Sequence, residues 1–322
     1  MNSRHHILQA CCVIVVLSAT IVAQSLNEAD ALKAITLATN PTTKLTAAED
    51  FIAKFPNSTA RLSVAETIAT ELRKIKNGTV ALALLERAQA IFKQDNEREI
   101  FKPVALEIYT IGNRPDDAFA LAADLLAKNP DDVHVLMLIT LVGTEEARKR
   151  NRKYSDISLQ YGLKAIALLE ANQKPPDVAD HIWALQRGNL DKLYQQTAIL
   201  YLAAGNTQEA TVRLTKASRL SPRDPSNFAL LARIINADYL VQNEAYEAMT
   251  DGKSKEETRK KLDTLLDSII DAYARAAGLA TGRVEYQALL QQVIPDLTAY
   301  YKYRNQSTKG LKQLIDRYRL AP

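Results

Sequence analysis

Between about residue 24 and the C-terminus, apolar positions recur at intervals of three and four, and short polar breaks interrupt them. From Thr79 to Phe92, the residues Val80, Leu84, Leu85, Ala88, Ile91 and Phe92 share one helical face. The breaks fall at Asn40-Pro41, Phe55-Pro56-Asn57-Ser58, Asn77-Gly78, Gln94-Asp95-Asn96, Gly112-Asn113, Asn129-Pro130-Asp131, Gly205-Asn206 and Ser221-Pro222. Gly and Asn accept the left-handed conformation that ends a helix, and Pro cannot continue one. Most neighbouring breaks leave room for a single helix of roughly 15 residues, and the longer stretch from Asp131 to Gly205 has room for several. No segment alternates apolar and polar residues as a half-buried strand does. The pattern predicts an all-α chain of helices joined by tight turns.

The clearest two-helix unit runs from Asp191 to Asp224, DKLYQQTAILYLAAGNTQEATVRLTKASRLSPRD. Tyr194 and Tyr201 are the large residues of its first helix, and Ala198 is the small residue between them. Gly205-Asn206 turns the chain, Ala210 and Ala217 are the small residues of the second helix, and Pro222 closes the unit. Small residues let two antiparallel helices approach closely where they cross. This unit resembles the tetratricopeptide repeat, with Leu214 replacing an aromatic. Glu99–Asp132 resembles it through Tyr109, Gly112-Asn113, Ala118 and Pro130, although Leu106 and Leu125 occupy small-residue positions. Partial matches end at Phe55-Pro56 and begin at Ser226, with Phe228, Ala232 and Ile235 in place.

The resemblance implies a right-handed α-solenoid of antiparallel helix pairs, since a unit of ~34 residues cannot bury its apolar face alone. From Ser254 onward the repeat fades into longer helices, expected at Lys255–Ala280, Glu285–Arg304 and Lys309–Arg319 as a C-terminal cap. Asn172–Asp191, with the sole tryptophan Trp183, reads as an insertion. The expected organisation is a signal segment over 1–23, repeats over 24–253 and a cap over 254–322. The chain as a whole looks like the tetratricopeptide proteins that bacteria export to the cell envelope.

The N-terminus favours export. Arg4, His5 and His6 precede an uncharged apolar run from Ile7 to Ala23, the layout of a secretory signal cleaved after Ala23. The expected location is periplasmic or outer-envelope, with an uncleaved anchor in the inner membrane as the alternative. No later window is apolar enough to span a membrane. Both cysteines, Cys11 and Cys12, lie within the signal, so the mature chain would carry no thiol. Asn57, Asn77 and Asn305 begin Asn-x-Ser/Thr sites, read as chance occurrences in polar turns. The 41 basic and 37 acidic residues nearly balance, which disfavours general nucleic-acid binding.

Catalytic signatures are missing. There is no glycine-rich phosphate loop and no Gly-x-Ser-x-Gly elbow, and only His134 and His181 lie outside the signal. No cofactor or metal is expected. His134 reads as a packed helix residue and His181 as part of a solvated helix start.

The repeat resemblance implies instead a concave protein-binding face on the first helix of each unit. The matching positions are Lys192, Gln195, Gln196, Ile199, Leu202 and Ala203 in one unit and Ile100, Val104, Glu107 and Ile111 in the other. Relatives that clamp a C-terminal carboxylate place Lys and Asn where this chain has Gln195, Ile199 and Ala203, so an apolar helix or extended segment suits this face better. The basic run Arg148, Lys149, Arg150, Arg152 and Lys153 reads as a solvated helix end, with contact to anionic surfaces as the alternative. Tyr300, Tyr303 and Tyr318 are expected to pack terminal helices together. The function expected is an exported protein-binding scaffold. The alternatives are a permanent subunit of an envelope or secretion complex, or a hydrolase using two carboxylates.

Overall fold

A computed structural model describes residues 27–319. The expected signal segment, 1–23, with Cys11 and Cys12, lies outside them. The described residues are helical with no strand, and the chain divides into two compact units, one up to Pro130 and one from Asp131 onward.

The first unit contains α1 (27–37), α2 (Pro41–Lys54), α3 (Arg61–Leu72), α4 (Gly78–Ile91), α5 (Asp95–Ile111) and α6 (Pro115–Lys128). The breaks seen in the sequence act as caps. Asn40 accepts the Thr43 N–H at 2.9 Å ahead of Pro41, and Asn77 accepts the Val80 N–H at 3.0 Å. Asn113, at φ 55°, turns the chain out of α5 in the left-handed region. First helices pack on one another, α3 against α5, as do second helices, α2 against α4. Their shared core holds Leu45, Phe51, Ile68, Leu85, Phe92, Phe101 and Ile108. A buried ion pair ties α3 to α5: Arg61 Nε donates to Glu97 Oε1 at 2.7 Å and Nη2 to Oε2 at 3.0 Å.

The second unit contains α7 (Val133–Arg148), α8 (Ser155–Glu170), α9 (Asp180–Arg187), α10 (Leu190–Ala203), α11 (Thr207–Leu220), α12 (Pro225–Glu247), α13 (Lys253–Ala280), α14 (Gln287–Asn305) and α15 (Leu311–Asp316). Three hairpins dominate it: α7 with α8, α10 with α11, and α12 with α13. In the α10–α11 pair, Tyr194, Ala198, Ala210, Leu214 and Ala217 are all buried. Gly205 takes φ +81° in the turn, and Asn206 caps α11 by accepting the Glu209 N–H at 3.0 Å. Two glycines on helix faces permit close crossings. A Cβ on Gly143 would lie 1.8 Å from Ser158 Oγ, and one on Gly162 would lie 2.7 Å from Thr197 Cγ2.

The structure adds detail to the expected insertion and places the expected cap differently. The expected insertion is a short helix, α9, anchored by Trp183, whose Nε1 donates to Asn172 Oδ1 at 2.9 Å. Residues from 254 onward belong to the same compact unit as 131–253. α13 is the partner of α12, with Phe228, Ala232 and Tyr239 buried against Leu266, Ile269 and Tyr273. The 253/254 boundary therefore falls at the tip of a hairpin, and the helices added beyond the pairs are α14 and α15, both packed on α13. Tyr300 and Tyr318 pack against this core as expected, whereas Tyr303 is exposed.

Candidate protein-binding groove

α10 presents its outward residues between α7 and α12. Its buried face, Leu193, Tyr194, Thr197, Ala198 and Leu200, fixes its rotation, so Gln195, Gln196, Leu202 and Ala203 stay partly exposed. Ile199 retains only 9% of its surface. A concavity of about 610 Å3 opens over Gln195, Ile199, Leu202 and Ala203. The last turn of α7 adds Ala147 and Arg148, α12 adds Leu230 and Arg233, and α14 adds Leu289 and Gln292.

Polar groups at the edge are held in place. Gln195 Nε2 donates to Asn227 Oδ1 at 3.0 Å, and Arg233 Nη2 donates to Gln292 Oε1 at 2.9 Å. Lys192 does not line the concavity. It is exposed and paired with the buried Asp224. Burial alone would push the Asp224 carboxyl up, but Lys192 and the Ser226 N–H outweigh it and hold the carboxyl below its ordinary value. Gln196 likewise lies outside the lining. The lining carries two arginines and no carboxylate beside the apolar Ile199, Leu202, Leu230 and Leu289, so the concavity is positive and mixes apolar with polar surface.

The corresponding positions of α5 form no such surface. Val104 is fully buried and Ile100 packs on the first unit's core, because α3 lies against this side of α5. Glu107 accepts from Arg73 Nε at 3.2 Å. Of the four, Ile111 alone is an exposed apolar residue, at 50%. The two predicted sets belong to different compact units.

The basic run ends a helix. Arg148 lies 3.7 Å from Glu145, and Lys149 Nζ donates to Glu146 at 2.8 Å. Arg150 takes φ 64° as α7 terminates, and Lys153 lies over the Tyr154 ring at 4.9 Å. Of the five residues, Arg148 reaches the concavity. Arg233, Leu230, Leu289 and Gln292 were not anticipated from sequence. The placement of Phe228, Ala232 and Ile235 sets the rotation of α12, and with it the direction of Leu230 and Arg233. Nothing local marks Leu289 or Gln292, because α14 reaches the groove only through its packing on α13.

His134, expected to be packed, is exposed on α7, and His181 is exposed at the start of α9, where Asp180 pairs with Lys174 at 3.0 Å. Among the described residues, no group of three or more His, Cys, Asp or Glu side chains could hold a metal ion, and no helix is long and apolar enough to cross a membrane.

No family model matches the chain, and no curated protein matches it. Among solved structures, a tetratricopeptide repeat protein from Parabacteroides merdae is similar to it, at a TM-score of 0.41 and 15% identity. The match covers 79% of this chain and 92% of that one.

Proposed function

We propose that this chain is a non-catalytic binding scaffold whose second unit holds a segment of a partner protein in the groove over α10. The observation that carries this reading is the concavity itself. Leu202, Leu230 and Leu289 give it an apolar surface, and its size is that of an ordinary ligand site. Recognition follows from the lining. An apolar side chain of the partner enters between α10 and α12, and an acidic residue beside it meets Arg148 or Arg233. Side-chain bonds such as Gln195–Asn227 and Arg233–Gln292 hold the rim before the partner arrives, which lowers the ordering cost of binding.

The N-terminal pattern of Arg4 followed by the apolar run Ile7–Ala23 supports the further proposal that the scaffold works after export, in the periplasm or at the outer envelope. The reading is tested by affinity capture from the native host with wild-type chain and an Ala203→Trp variant. Ala203 is partly exposed at the groove wall, so the indole fills the concavity without entering the core. Loss of one specific captured protein in the variant, with circular dichroism unchanged, is the expected result. Equal capture by both chains refutes the groove as the binding surface. N-terminal sequencing of the protein from its host tests export: a mature chain beginning at Gln24 is expected, and an intact Met1 in the cytoplasm refutes it.

A further inference from the structure

A second concavity, of about 500 Å3, lies in the first unit on a different side of α5 from the residues expected to bind. It has a structural cause. The second helices α2 and α4 pack on each other, but α4 and α6 make no comparable contact, and a cleft opens between them above α5. Phe92 and Phe101, both fully buried, lie beneath its floor as a tilted pair with ring centres 5.3 Å apart, and the partly exposed Leu121 and Tyr109 stand on its walls. The α6 wall is fixed to α5 by Lys102–Asp124 at 2.6 Å and Lys128–Glu99 at 2.8 Å, so the cleft does not depend on a ligand to form.

Charges at the rim differ in how firmly they are held. Lys102 is engaged by both Asp124 and Glu99, and Asp117 by Arg114 at 2.6 Å. Among the described residues, Arg98 pairs with Asp95 alone, 3.7 Å away, with both side chains in solvent. Among the described residues, the cleft thus combines an aromatic wall, Tyr109, with a loosely held cation, Arg98. An aromatic wall favours ring-shaped guests through edge and offset contacts, and a guanidinium favours a carboxylate.

We infer that this cleft is a binding site for a small aromatic carboxylate, with the ring against Tyr109 and Leu121 and the carboxylate on Arg98. The site is in the first unit, and its existence does not depend on the groove over α10. The probe is naphthalene-2-carboxylate, titrated calorimetrically into the full chain. Saturable one-to-one binding is expected. It is lost in Ala120→Trp and in Gln89→Trp, two exposed rim positions on opposite walls whose substitution leaves the core intact. Arg98→Gln weakens it by up to about fivefold, the range of an exposed ion pair, and the neutral naphthalene-2-methanol shows the same loss against wild type. Absence of saturable binding, or binding unchanged in both tryptophan variants, overturns the site. Decanoate binding as tightly as the naphthoate overturns its aromatic preference.

Discussion

Replacing Glu97 by Gln removes one charge from the first unit and changes almost nothing else. The Glu97 side chain is fully buried and that of Arg61 is 9% exposed. The carboxylate receives Arg61 Nε at 2.7 Å, Arg61 Nη2 at 3.0 Å and the Gln94 N–H at 3.0 Å, so it satisfies the guanidinium and caps the start of α5. The amide of Gln is nearly isosteric, but it has one acceptor oxygen and leaves Arg61 charged and desolvated. Breaking a buried pair by removing one partner costs about 3–5 kcal/mol, and the acceptor that Gln retains places the loss near the lower end, about 3 kcal/mol. The double change Arg61→Met with Glu97→Met removes both charges and costs less than Glu97→Met alone, because no orphaned ion remains. Urea unfolding followed by circular dichroism, with the first unit's transition resolved, measures all of these. A Glu97→Gln loss below about 1 kcal/mol would show that water reaches the pair and would refute the reasoning.

Three other outcomes follow from particular contacts. Gly162→Ala forces a methyl group to within 2.7 Å of Thr197 Cγ2 and 2.9 Å of Thr140 Cγ2, and should destabilise the second unit by about 1–3 kcal/mol. Thr197→Ser, by deleting one of those methyls, should restore part of the loss in a thermal melt. Burial pushes the Tyr273 hydroxyl up to about 12, against about 10 in an unfolded chain. Folded-state stability tied to the neutral phenol is therefore complete below pH ~10 and lost as pH rises toward ~12, and Tyr273→Phe should flatten that fall in denaturant titrations. Trp183→Phe keeps the ring in its buried site but loses the 2.9 Å bond to Asn172, and should cost about 1 kcal/mol by urea unfolding.

Much of the fold was legible because helix ends are written locally. Asn40, Asn77, Asn113, Gly205 and Asn206 all act where the breaks were read, and the small residues Ala198, Ala210 and Ala217 are buried as the repeat pattern requires. The pairing of α12 with α13 was not legible. Both helices are longer than a single helix of the repeat, and Gly252 and neighbouring polar residues mark a turn without saying that the two arms pack together. The α5 positions read as a binding face are mostly covered for a related reason. The period that places Val104 on one side of α5 does not say whether that side meets solvent or another helix, and α3 covers it. On α10 the same reading located Gln195, Ile199, Leu202 and Ala203 around a real concavity. Arg233 and Gln292 complete its rim from distant parts of the sequence, about 40 to 100 residues from Gln195, and such contacts are set by tertiary packing alone.

Site-specific photo-crosslinking in the native host tests the central claim most directly. A benzophenone side chain replaces Gln195 at the groove, with a control probe at the exposed Arg150. One dominant adduct from position 195, absent from position 150 and abolished by Ala203→Trp, is the predicted result, with an acidic residue close to the cross-linked position of the partner. No adduct at position 195, or the same adducts from both positions, would contradict the groove as a protein-binding site.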